Sequence, residues 1–130
     1  VNIAPVIPAV TDGEMEAIVA RAAEAGACGI SFIPVRLPWE VAPLFRAWLE
    51  EHFPDRAGKV MAIVRALRGG ERDNDPGFHS RMRGQGVWGE LFRTRFQLAR
   101  RRSGMDNHRH RMRLRTDLFR PPQGDQGELF

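Results

Sequence analysis

The chain has 130 residues, of which 42% are hydrophobic and 28% are charged, and its formal net charge is +4. This length and balance fit one ordinary folded domain and argue against an intrinsically disordered chain. No apolar run approaches the roughly 20 residues of a membrane-spanning helix, and none has the pattern of a secretory signal peptide. A single cysteine, Cys28, cannot form an internal disulfide, so a cytoplasmic location is expected.

Charge is distributed unevenly along the chain. Residues 1–64 carry 5 basic and 8 acidic side chains, whereas residues 65–120 carry 15 arginines and 6 acids. A predominantly basic second half is suited to binding a polyanion such as DNA or RNA. The alternative is a compositional bias, because Lys59 is the only lysine and a GC-rich genome favours arginine.

The first third of the chain has the pattern of a strand, a helix and a second strand. Residues 1–7 are almost wholly apolar, as in a parallel strand covered on both faces. Thr11 to Glu14 form a predicted capping box, and Gly26 is the expected C′ residue of the helix that follows. A β-rich run within residues 28–38 completes a βαβ unit, which implies a parallel sheet.

The rest of the chain has mainly helical periodicity. Helices are predicted over 39–53, from Pro54 to the pair Gly69-Gly70, and from Trp88 to about Arg102. A long polar loop, 70–86, separates the last two helices. The predicted organisation is a βαβ part over 1–38, a helical extension over 39–103, and an arginine-rich arm with a flexible tail over 104–130.

The two predicted strands are apolar on both faces, and two strands alone do not make a stable sheet. The chain also lacks an initiator methionine and begins directly in a strand. We therefore expect it to be the C-terminal part of a larger α/β protein, with the missing N-terminal half as its partner.

Several stretches resemble a known family. "VNIAPVIPAVTDGEMEAIVARAAEAGA", "PVRLPWEVAPLFRAWLEEHFPDRAGKVMAIVRALRGG", "SRMRGQGVWGELFRTRF" and "LRTDLFRPP" are similar to the C-terminal part of radical S-adenosylmethionine (radical SAM) proteins of the spore-photoproduct-lyase-like, or DNA repair photolyase-like, group. The "APVIPxxTDxE" and "RMRGxG" patterns are its most specific parts. The resemblance implies an α/β fold that consists of the last βα units of a partial TIM-like barrel, followed by a helical extension.

The resemblance also implies the chemistry of a parent enzyme, a lyase or oxidoreductase. In that family three cysteines spaced Cys-x3-Cys-x2-Cys hold a 4Fe–4S cluster, which cleaves S-adenosylmethionine to a 5′-deoxyadenosyl radical. This chain has Cys28 alone and lacks that motif. We therefore expect these residues by themselves to bind neither cofactor and to be inactive.

Candidate cofactor residues lie where the predicted strands end, which is where barrels bind ligands. Alternation places Ala4 and Val6 on one face of the first strand and Pro5 on the other, and the resemblance places this end of the strand near the adenosine of the cofactor. The alternative is plain barrel core. Arg36 closes the second strand and suits a carboxylate or phosphate, the alternative being an ion pair with Glu40.

Candidate nucleic-acid contacts are arginines of the basic half. A glycine-rich segment, "RMRGQG", carries two that suit phosphate groups, unless its glycines only turn a solvated loop. Others follow the last helix, and four that alternate in sequence share one side of an extended chain, unless they form a solvated arm. The candidates are Arg81, Arg83, Arg100, Arg101, Arg102, Arg109, Arg111, Arg113 and Arg115.

The last five residues, "QGELF", resemble the peptide with which bacterial proteins bind the replication sliding clamp. Gln126 would supply an amide to a polar rim, and Leu129 and Phe130 would fill an apolar pocket. Gly127 departs from that pattern. The alternative is that Leu129 and Phe130 fold back onto the protein.

Two functions remain open from the sequence. The first is the C-terminal part of a radical SAM iron–sulfur enzyme that acts on nucleic acid or a related substrate. The alternative is a small basic DNA-binding module that its C-terminal tail tethers to the sliding clamp.

Overall fold

The computed structural model describes residues 1–70, 73, 74, 77, 81–105 and 117–120. This part of the chain is a small α/β domain, as predicted, with two strands and four α-helices. A short 3-10 helix, Asp12–Glu14, leads into the first α-helix. The elements in chain order are β1 (Asn2–Val6), α1 (Met15–Glu24), β2 (Ser31–Pro34), α2 (Val41–His52), α3 (Pro54–Ala66) and α4 (Gly86–Arg102).

The two strands pair in parallel, which confirms the predicted βαβ unit. Ile3 lies opposite Phe32 and Val6 opposite Pro34, and the register shifts between Ile3 and Val6. Because this irregularity breaks the period of two, Ile3 and Val6 both pack against the helices while Ala4 is exposed. The expectation that Ala4 and Val6 share one face is therefore wrong.

The predicted capping box does not form. Neither the 3-10 helix nor α1 has a side-chain cap hydrogen bond. Instead, the Thr11 hydroxyl accepts a hydrogen bond from the Ile7 N–H at 2.9 Å and so stabilises the turn after β1. The Glu14 N–H is satisfied by the Thr11 carbonyl at 3.1 Å, within the 3-10 turn.

The end of α1 follows the prediction. Gly26 has a φ of +78°, which a glycine adopts without strain. Its N–H binds the Ala23 carbonyl, and the Ala27 N–H binds the Ala22 carbonyl, each at 2.9 Å. These two bonds form a Schellman motif, which directs the chain back toward β2.

The core lies between the strands and the helices in three contiguous clusters. The predicted helical extension packs directly on the strands, so the hydrophobic core crosses residue 38. The first cluster joins α1 to α4 through Met15, Val19, Phe96 and Ala99. The second joins β1 to α3 and α4 through Val6, Ile63, Leu67 and Phe92. The third joins the chain after β2 to α2 and α3 through Val35, Leu37, Leu49, Val60, Met61 and Val64.

A polar cluster centred on Arg95 joins α4 to the start of α1. Arg95 Nε donates to Glu16 Oε1 at 2.7 Å, and its Nη1 donates to Asp12 Oδ2 at 2.8 Å. Its Nη2 also donates to the Asp12 carbonyl at 2.7 Å. The hydrogen bonds from Arg95 hold the pKa of Glu16 below its usual value, despite partial burial of that carboxylate.

Candidate functional site

A groove opens where the two parallel strands end. The end of β1 and the chain beyond β1 and β2 form one wall and α2 forms the other, and the groove has a volume of about 320 Å³. The lining is apolar apart from a single guanidinium, so the groove suits a ligand with a large apolar part and one anionic group. This strand-end groove is lined by Pro5, Ile7, Val35, Arg36, Leu37, Val41, Phe45 and Trp48.

Aromatic rings of α2 form one side of the strand-end groove. Phe45 and Trp48 stack with their ring centroids 5.7 Å apart and an interplanar angle of 25°. Trp48 retains 37% of its surface exposed. Phe45 and Trp48 lie on one stripe of α2, and helical spacing alone does not distinguish a stripe inside the core from one that borders a groove.

The predicted cofactor residues separate into two groups. Pro5 and Arg36 line the groove, whereas Ala4 is exposed outside the described lining. Val6 is 1% exposed, its side chain packs in the core, and it is not part of the groove lining. Among the described residues Arg36 forms no ion pair, with Glu40 or with any other acid.

The guanidinium of Arg36 lies between the strand-end groove and the glycine-rich segment. Its Nη1 contacts the thioether sulfur of Met82 at 3.8 Å, a weak acceptor. Its Nε is buried and has no hydrogen-bond partner among the described residues. An anionic ligand group at this position would supply the missing acceptor.

Segment 81–84, "RMRG", is held firmly against the sheet. Arg68, which is 6% exposed, donates to the Arg81 carbonyl at 2.8 Å and to the Val35 carbonyl at 2.6 Å. The side chain of a buried arginine thus ties the segment to the end of β2.

Gly84 has a structural role within this segment. Its φ is +69°, and a Cβ there would lie 2.9 Å from Leu67 Cδ2. The close neighbour of Gly84 is therefore the protein core. The glycine allows tight packing of this segment on the core, which neither of the two sequence-based alternatives, phosphate contact or a solvated turn, had included.

A second, smaller cavity lies between segment 81–84, β2 and α4. It has a volume of about 220 Å³ and is lined by Phe32, Met82, Arg83 and Arg93. Arg93 Nη1 donates to the Gly84 carbonyl at 3.0 Å, which fixes that guanidinium, while Arg83 is exposed. We call this cavity the arginine pocket. Sequence reasoning identified Arg83 but missed Phe32 and Arg93, which were assigned to a strand and a helix without a site.

The predicted nucleic-acid arginines have different environments. Arg100 Nη2 donates to the Met105 carbonyl at 3.2 Å, and its guanidinium lies 6.0 Å from the centre of the Phe96 ring. Arg101 and Arg102 are exposed at the end of α4, and Arg81 is half-buried. The remaining candidates lie outside the described residues and stay predictions: Arg109, Arg111, Arg113, Arg115, Gln126, Leu129 and Phe130.

The residues present do not fit an iron–sulfur cluster. Such a cluster is held by several cysteine thiolates, and Cys28 is the single, exposed cysteine. Within the described ranges, no three side chains of His, Cys, Asp or Glu are grouped so as to hold a metal ion. In the same part of the chain, no helix has the length and apolar character needed to cross a membrane.

Comparisons with models of known protein families, with curated proteins and with solved structures find no match to this chain. Its function must therefore be inferred from its own residues and from the resemblance of the stretches quoted above.

Proposed function

We propose that the chain is the C-terminal part of a radical SAM enzyme and that the strand-end groove forms part of its pocket for S-adenosylmethionine. The observation that carries this proposal is the groove itself, at the carboxyl ends of two parallel strands, with Arg36 at its rim, whose Nε has no hydrogen-bond partner in the part of the chain that the structure describes. Parallel α/β barrels bind their ligands at this end of the strands.

The chemistry of the groove suits that ligand. The apolar wall with Trp48 would take the adenine ring, which stacks on aromatic faces. Arg36 would pair with the carboxylate of the amino-acid part through two parallel N–H groups. When bound to a reduced cluster, S-adenosylmethionine supplies a carbon-centred radical. The cluster would be held by residues outside this chain, because Cys28 alone cannot hold it.

The sheet supports the proposal of a larger barrel. In the described part of the chain each strand has one neighbour, so the outer edges of β1 and β2 carry unpaired N–H and C=O groups. Ala4 and Pro5 are exposed although they lie in a strand. Further barrel strands would pair with these edges and would cover the exposed strand residues.

The first test is the gene sequence upstream of Val1. We expect an in-frame Cys-x3-Cys-x2-Cys motif, and the protein encoded with it, purified without oxygen, should bind about four irons per chain. It should form 5′-deoxyadenosine from S-adenosylmethionine when reduced. An upstream frame without the motif would contradict the enzyme function.

Variants of the longer protein test the groove. Arg36→Gln should weaken binding of S-adenosylmethionine by about tenfold, because one charge-assisted pair is lost. Lys59→Gln, which removes the same charge from an exposed position of α3, is the matched control. Equal affinities of the two variants would exclude Arg36 from the pocket.

Exposed arginines favour a second candidate function, binding of DNA with the tail on the sliding clamp. Arg83, Arg101 and Arg102 are exposed. We expect DNA affinity to fall steeply with salt, and affinity that does not change with salt would exclude an electrostatic mode.

A peptide of residues 121–130 should bind the clamp and should lose that binding in Leu129→Ala and Phe130→Ala.

A further inference from the structure

We propose that the arginine pocket binds one nucleotide of a single-stranded nucleic acid, with the phosphate on Arg83 and the base against Phe32. This site is separate from the strand-end groove and does not require radical chemistry. It rests on the second candidate function, nucleic-acid binding, and gives it a defined position.

Positive charge converges on segment 81–84 without a carboxylate in the described lining of the pocket. Arg36 contacts Met82, Arg93 donates to the Gly84 carbonyl, and the segment contributes Arg83 itself. Guanidiniums that lie close together repel one another, and a bound anion removes that repulsion. The pocket is therefore an anion site by its electrostatics.

The apolar part of the lining indicates that the anion carries a ring. Phe32 and Met82 supply this part, next to the two guanidiniums. The volume of about 220 Å³ is below the roughly 300–1,000 Å³ of pockets that enclose a whole drug-sized ligand. One base with its phosphate matches this size and this pairing of an aromatic wall with a cation.

The backbone around segment 81–84 and the Phe32 ring are held in place before any ligand arrives. The Gln85 N–H binds the Leu67 carbonyl at 2.9 Å, and Gly84 packs against Leu67. Phe32 is held by the Phe96 ring, with centroids 4.8 Å apart. A preorganised site loses little conformational entropy on binding, so a single nucleotide contact can contribute measurably.

The cations farther along α4 favour a strand of nucleic acid over a free mononucleotide as the ligand of the pocket. Arg101 lies eight residues beyond Arg93, which lines the pocket on the same helix, and this is roughly 12 Å along the helix axis. Because successive phosphates of one strand rise by about 3.4 Å in a stacked duplex and by more in an extended strand, a few nucleotides span this distance. Arg101 and Arg102 are exposed at that end of the helix.

The test measures binding of a short fluorescein-labelled oligothymidylate to the full chain by anisotropy over a range of salt concentrations. Arg83→Gln should weaken binding and should make the slope of log K against log salt shallower by about 0.7, the value for one lost phosphate contact in a single strand. Phe32→Leu, which keeps apolar bulk in the core, should weaken binding about fivefold or more through lost stacking. Lys59→Gln is the matched charge control.

Each outcome supports or overturns the pocket. If Arg83→Gln and Lys59→Gln have the same affinity and slope, nucleic-acid binding stands but the pocket is not its site. No binding by the unmodified chain at low salt overturns both. Thymidine monophosphate and the unlabelled oligothymidylate are compared as competitors. If the two compete equally well, the proposal that the ligand is a nucleic-acid strand is overturned.

Discussion

Two arginines that are two residues apart on α4, and therefore on different faces of that helix, show how differently one residue type acts in this molecule. Arg95 is bound to Asp12 and Glu16 at the start of α1, whereas Arg93 donates to a carbonyl of segment 81–84 and borders a cavity whose described lining contains no acid. The formal charge of the basic half therefore exceeds the charge that is available to a ligand.

The same distinction applies to the other arginines of the described chain. Arg65 is paired with Asp73, and Arg68 binds backbone carbonyls. Asp73 is also bonded by Arg46, and although burial opposes ionisation, these two arginines keep its pKa below the usual value. Such residues stabilise the fold, whereas Arg83 and Arg102 are exposed to solvent.

The largest expected effect comes from disrupting the packing of segment 81–84 on α4. In Gly89→Ala the new Cβ would lie 2.7 Å from the Gly84 carbonyl oxygen, which is backbone and cannot rotate away. We expect the free energy of unfolding to fall by about 1–3 kcal/mol, as for an overpacked core. Urea denaturation followed by circular dichroism measures this change.

Gly58→Ala is the matched control for this substitution. Gly58 lies within α3 and a Cβ there meets nothing within 4 Å. Because alanine has the higher helix propensity, we expect a stabilisation of about 0.5–1 kcal/mol. A Gly89→Ala variant that is likewise stabilised would show that segment 81–84 is not packed against α4.

A smaller effect is expected from removing the two kinds of arginine in turn. Arg95→Gln leaves Asp12 and Glu16 partly buried without their cation, and we expect a loss of about 1–2 kcal/mol of stability because solvent reaches these carboxylates. Arg83→Gln should change stability by less than about 0.5 kcal/mol, as for an exposed residue. Equal destabilisation would contradict the division into internal and available arginines.

The elements of the fold were predictable because each has a local cause. Pro54 begins α3, Gly26 ends α1, and a mostly apolar run forms β1. The capping box was wrong because a hydroxyl acceptor can serve any N–H within reach, and the Ile7 N–H took the Thr11 oxygen. Sequence spacing does not record that competition.

The sites were only partly predictable because they depend on contacts between distant residues. Arg36 and Pro5 were placed at the strand ends from strand patterns alone. The contributions of Trp48 to the groove and of Phe32 and Arg93 to the arginine pocket arise from packing that brings β2, α2 and α4 together. Likewise, nothing in the spacing of the arginines distinguishes Arg95, with two acids beside it, from Arg83.

The smallest expected effect is a dependence of stability on acidic pH that belongs to the Arg95 cluster. Arg95 lowers the pKa of Glu16 in the folded chain from the ordinary value of 4.5, so the folded state holds its proton less tightly than the unfolded state. The stabilisation by this carboxylate is therefore complete above about pH 4.5 and is lost as the pH falls through the lower, folded pKa.

Glu16→Gln should be less stable than the unmodified chain at neutral pH, and the difference should shrink in acid. Asp73→Asn should behave similarly but at lower pH, because the ordinary pKa of that group is 3.8. Urea midpoints measured from neutral pH downwards would show this, and a gap between Glu16→Gln and the unmodified chain that stays constant in acid would mean that Arg95 does not stabilise α1 through the Glu16 charge.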